Sequence, residues 1–166
     1  TLTAGVTRTG GLTVSGTLQL AGFSMTSGDL QGAGDITSSS GTPTLTTGSA
    51  NTSTTYSGVI GTGAIALTKN GTGVLTLSGS NTYTGLTAIA AGTLQLNNTN
   101  ALGTTAGATS VTSGAVIDLH GINYSNAETL TLNGTGISTG GALINSSATA
   151  ATYAGNIALG SASRIT

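Results

Sequence analysis

The sequence predicts an all-β chain wound into a solenoid, and three observations carry that expectation. Only 4% of the 166 residues are charged, where an ordinary globular domain carries about a quarter. Helix surfaces are normally covered by Lys, Glu and Arg, so little here could build water-exposed helices. Glycine occurs 28 times and proline once, and threonine, stiff at its first side-chain torsion and at home in strands, is more abundant than either. The third observation is a short apolar-x-apolar unit that returns along the whole chain, broken each time by glycine-rich turns.

Taken in order, the unit is Leu12/Val14, Leu18/Leu20, Ile65/Leu67, Leu75/Leu77, Leu94/Leu96, Ile117/Leu119, Leu130/Leu132 and Ile157/Leu159. Alternate side chains of a strand face opposite sides, so each pair points inward and its middle residue outward. The middle residues are mostly Thr, Gln, Ala or Asp, which suit a solvated face. Residues 22–55 carry only a weak alternation, and the register of their coils stays open.

Spacing makes the repeats a stack. GVLTLSGSN from Gly73 aligns with GTLQLNNTN from Gly92, an offset of 19. NGTG at Asn70 returns at Asn133, and AGTLQL at Ala91 is matched by AGNIAL at Ala154, both at 63, or three coils of about 21 residues. The string GTLQL itself occurs at Gly16 and again at Gly92. A repeat unable to bury its apolar face alone does so against its neighbours. About eight coils at about 4.8 Å each would make a rod near 40 Å long. A disordered linker is disfavoured by a mean hydropathy of +0.27. A β-sandwich is disfavoured because its aromatic core is missing: there is no Trp and one Phe.

Composition also excludes function classes. The only cations are Arg8, Lys69 and Arg164, too few and too scattered to neutralise a nucleic acid backbone. No apolar run approaches about 18 residues, so no membrane insertion of this segment as a helix is expected. The absence of cysteine excludes disulfide scaffolds and thiolate chemistry.

LTKNGTGVLTLSGSNTYTGLTAIAAGTLQL, residues 67–96, closely resembles the autotransporter-associated β-strand repeat of bacterial autotransporter passenger regions. The matching positions are Leu67, Lys69, Gly71, Gly73, Leu75, Leu77, Gly79, Asn81, Tyr83, Gly85, Ile89, Gly92, Leu94 and Leu96. ALG at 101–103 and VTSGAVIDLHG at 111–121 look like its usual continuation. The resemblance implies a right-handed, single-stranded parallel β-helix with coils of roughly 20 residues. It further implies that residues 1–166 are one segment of a longer chain exported to the cell surface or exterior of a Gram-negative bacterium. The repeat is associated with passenger folding and secretion, not with a catalytic centre.

The ionisable groups are few enough to search in full: Asp29, Asp35, Asp118, Glu128 and a single His120. Asp29 and Asp35, each beside a glycine, are expected to accept turn amides rather than to pair as catalytic acids. Ile117–Gly121 places Asp118 and His120 on one strand face, with Glu128 nearby in sequence, and a solvated outer face is preferred over a metal or proton-transfer site. The GxG triplets read as coil corners, since no helix is expected behind them to present amides to a phosphate. Tyr56, Tyr83, Tyr124 and Tyr153 mostly precede a small residue and glycine, and are expected to lie over coil corners rather than to stack on sugars. A Thr-x-Thr face that orders water would have to be regular, whereas the outward positions vary among Thr, Gln, Ala and Asp.

No catalytic residue, cofactor site or metal site is therefore expected. The function expected is a structural stalk or spacer of an autotransporter-type adhesin that aids passenger folding and secretion. The alternatives are a self-assembling filament subunit and a carbohydrate-binding or carbohydrate-active β-helix. The partners expected are neighbouring coils of the parent chain or identical copies end to end, with a host or cell-surface glycan or protein as a further candidate.

Overall fold

The computed structural model describes residues 1–166 and is a parallel β-solenoid. One sheet contains β1 (Val6–Thr7), β4 (Met25–Ser27), β7 (Thr44–Thr47), β9 (Ala66–Lys69), β11 (Thr87–Ile89), β13 (Ala108–Val111), β16 (Thr129–Leu132) and β19 (Ile157–Leu159), in that spatial order. The second sheet contains β2 (Leu12–Val14), β5 (Leu30–Gly32), β8 (Thr54–Tyr56), β10 (Val74–Leu77), β12 (Thr93–Leu96), β14 (Val116–Asp118) and β17 (Leu143–Ile144). Two short ladders, β3 (Leu18–Gln19) with β6 (Ile36–Thr37) and β15 (Asn123–Tyr124) with β18 (Thr152–Tyr153), cover part of a third side. Every strand pair is parallel, so each rung is one turn of chain above the last. Eight strands in the longer sheet are separated by seven rises, one coil fewer than expected and about 34 Å of rod.

The core is the stack of inward residues. Leu75 lies over Leu94 and Leu77 over Leu96, the 19-residue offset read from the sequence. Leu67 reaches Leu130 through Thr87 and Thr109, which is the 63-residue offset. The other match at 63 is a coincidence of spelling: Leu94 belongs to the second sheet and Ile157 to the first. The same holds for GTLQL, which is third-side strand β3 at Leu18 and second-sheet strand β12 at Leu94. An alternating unit specifies a strand, while its place in the coil comes from what it stacks on.

Coil length varies from 18 residues, Leu12 to Leu30, to 29, Asn123 to Thr152. The extra residues go into corners, including a single 3-10 turn at Ile137–Thr139 behind Gly134 and Gly136, where none was expected. Residues 22–55 are fully coiled, with β4 to β8 in ladder register. Their alternation is weak because one inward column begins polar: Ser27, Thr47 and Lys69 precede Ile89, Val111 and Leu132. Ser27 donates to Thr47 at 3.1 Å inside the core, which satisfies both hydroxyls without water.

Candidate functional site

Three polar groupings stand out in the solenoid. The first surrounds Asp118 at the end of β14, at the foot of a ladder on the outside of the second sheet. Thr76 donates to Gln95 (3.0 Å), and Gln95 Nε2 donates to Asp118 Oδ2 (3.0 Å). Ser146 Oγ also donates to Asp118 Oδ2 (2.6 Å), and the amides of Ser146 and His120 both donate to Oδ1 (3.0 Å each). Burial works against the ionised carboxylate, but these donors outweigh it and hold its pKa below the usual range.

The expected solvated face is therefore corrected for Asp118 and Glu128, while His120 is exposed as expected. Asp118 is 2% exposed because its ladder partners and the following coil cover it. His120 has left the strand into a left-handed corner (φ 47°), where Nδ1 meets Ser146 Oγ at 3.0 Å. Ser146 gives its proton to Asp118 and not to the imidazole, so the trio lacks the base-on-nucleophile geometry of acyl transfer. Four donors on a carboxylate of lowered pKa make a staple between coils and a poor proton acceptor.

Glu128 is not part of that group. It precedes β16 and points into the core, 1% exposed, accepting from Thr109 Oγ1 (2.6 Å) and Tyr124 OH (2.9 Å). Burial raises its pKa, and the two hydroxyl donors offset this only in part. No three His, Cys, Asp or Glu side chains converge to hold a metal ion.

The third grouping is built on Lys69, noted in the sequence only as an isolated cation and a repeat position. Its side chain turns inward from β9, 1% exposed, and Nζ donates to the carbonyls of Asn70 (2.6 Å), Gly71 (3.0 Å) and Ala91 (3.2 Å). Desolvation lowers its pKa to about 8. Gly71 and Gly92 turn the corner around it at φ 68° and 67°; a Cβ on Gly71 would meet the carbonyl of Gly48, and one on Gly92 would lie 2.9 Å from Nζ. The signal was parity: Lys69 is two residues after Leu67, so a strand turns both inward.

The remaining candidates are structural. Asp29 takes the Thr52 hydroxyl (2.9 Å) and Asp35 takes the Val59 amide (3.2 Å), so both bond to the next coil and not to their own turns as expected. Tyr56, Tyr83 and Tyr124 are buried core residues, and Tyr124 stacks on Tyr153 with ring centroids 5.2 Å apart. Of the Gln and Asp at middle positions, Gln31, Gln95 and Asp118 belong to the second sheet and Gln19 to the third side. The middle column of the first runs Thr7, Thr26, Thr46, Thr68, Ala88, Ser110, Thr131, Ala158, and Leu86, 61% exposed, interrupts the row beside it.

What these groupings share is coil-to-coil bonding, which also runs through β9 to β12. A family model described as the passenger-associated-transport-repeat matches residues 67–96, the span of those four strands. The chain carries an autotransporter passenger repeat. The passenger repeat thus contains the Lys69 corner, the Leu75/Leu94 and Leu77/Leu96 ladders and the first two rungs of the Asp118 ladder. The chain is also similar to the adhesin BmaC autotransporter of Brucella suis, 40% identical over 123 residues. That match covers 74% of this chain and 3% of the relative, so the chain spans a small fraction of the curated relative's length. No solved structure matches.

Proposed function

We propose that this chain is a stalk or spacer segment of a surface-displayed or secreted autotransporter passenger in a Gram-negative bacterium, and that its coil stacking assists folding during export. The observation that carries this reading is the unbroken ladder from β1 to β19, in which the buried polar groups bind one coil to the next. Such a solenoid gains its stability rung by rung, so a coil that emerges from export can dock on the one before it. The similarity to an autotransporter adhesin supports the setting.

Surface display of the 166-residue segment, fused between a passenger anchor and an epitope, tests the reading. Leu77→Ala with Leu96→Ala should reduce epitope display, while Thr7→Ala, on the outside of an end coil, should leave it unchanged. Full display of the core-breaking variant would reject a role for coil stacking in export.

A second reading is favoured by the coil ends. Ile157, Leu159 and Ile165 are 38%, 59% and 53% exposed at one end, and Leu12, Val14 and Leu18 line a depression at the other. Such ends accept a further coil, supplied by the parent chain or by a second copy.

A further inference from the structure

We propose that Glu128 makes the solenoid pH-responsive: the coils around β13, β15, β16 and β18 close tightly over a protonated carboxyl and loosen as that group ionises. The geometry carries this. Glu128 is enclosed from every side, with Thr109 of β13 on one oxygen, Tyr124 of β15 on the other, and the Tyr153 hydroxyl of β18 on its backbone carbonyl at 3.1 Å. Gly155 seals it from the next coil, since a side chain there would collide with the Glu128 backbone. Its neighbours supply hydroxyls and no cation. Lys69 is committed to three carbonyls, and Arg164 Nη1 donates to the carbonyl of Thr139.

A buried carboxylate with two hydroxyl donors and no counter-ion is poorly compensated, whereas the neutral acid fits the same cavity and can donate as well as accept. The other titratable groups facing it are Tyr83, Tyr124 and Tyr153, all held neutral by burial, so none titrates in the range where Glu128 does. The sign follows from the raised value of Glu128. Its contribution to stability is fully present below the unfolded value of about 4.5 and is lost as pH rises through the folded value. Asp118 acts only in stronger acid, since its folded value is depressed, and Lys69 only above about pH 8.

Thermal melts and amide exchange of the 166-residue chain from pH 4.5 to 7.5 provide the test. The wild type should lose about 3–5 °C of Tm across this window, while Glu128→Gln should lose none of it and melt higher at pH 7.5. Amide exchange at Thr129–Leu132, compared with the Gln variant at each pH, should speed up several-fold as pH rises, while exchange in β2 and β5 stays matched. Equal pH profiles in wild type and Glu128→Gln would overturn the proposal, as would a wild-type Tm that rises with pH. If the Gln variant does not fold, Thr109→Val decides the matter. Removing a donor to the carboxylate should steepen the loss, and a profile identical to wild type overturns the proposal.

Discussion

Lys69 shows how a single residue can fix a coil corner. Three backbone carbonyls from two successive coils converge on its ammonium, and they have no other donor of comparable strength within the corner. Replacing it by methionine keeps much of the volume and strands those acceptors, so Lys69→Met should cost about 2–4 kcal/mol in urea melts. Asp118 is the converse case, a carboxylate with four donors. Asp118→Asn turns an amide nitrogen toward some of them and should cost about 2–3 kcal/mol at pH 7. Its pKa is depressed in the folded state, so the stability it contributes is present above the unfolded value of 3.8 and is lost as pH falls through the folded one. The gap between wild type and Asp118→Asn should therefore shrink in melts at strongly acid pH; a constant gap would show that charge is not what the staple uses.

At the scale of the strand, β10 and β12 are the best measure of the stack. Leu77 and Leu96 are in register and both 0% exposed, so truncating either to alanine should cost about 2–5 kcal/mol. The two residues touch, and the double variant should depart from additivity. Thr76→Ala should stay within about 0.5 kcal/mol. Gln95→Ala should cost more, about 1 kcal/mol, because Gln95 donates to buried Asp118. Equal costs for inward and outward positions would contradict the assignment of faces.

These strands also show what a sequence can reveal. Leu75, Leu77, Leu94 and Leu96 announce their face by hydrophobicity, and their register is legible because 19 residues separate identical patterns. Ser27 and Thr47 hide theirs, since a polar inward residue satisfied by its coil neighbour looks like an outward one. Asp118 and Glu128 were misplaced for a related reason. Burial of an acid depends on donors at Ser146 and Thr109, 28 and 19 residues away, and coil lengths between 18 and 29 residues hide which residues meet. The stacking of Tyr124 on Tyr153 escaped the sequence on the same ground.

The whole molecule behaves as a one-dimensional stack, in which each coil is stabilised by the rung above and the rung below. Its two ends therefore differ from its middle. The columns that bury Leu130, Leu132 and Leu143 continue into Ile157, Leu159 and Ile165, each with a third or more of its surface in water. A last strand also offers unpaired amides and carbonyls to any strand of matching register. With a net charge of −1, repulsion between chains is slight. The 166-residue chain should accordingly associate with rising concentration in sedimentation experiments. Leu159→Lys together with Ile165→Lys should suppress that association while leaving the melting temperature nearly unchanged, because neither side chain is buried in the monomer. Fusing a further coil or a capping helix after Thr166 should suppress it as well. A chain that stays monomeric at high concentration, or a double variant that associates as strongly as wild type, would show that the exposed end rung is not a docking face.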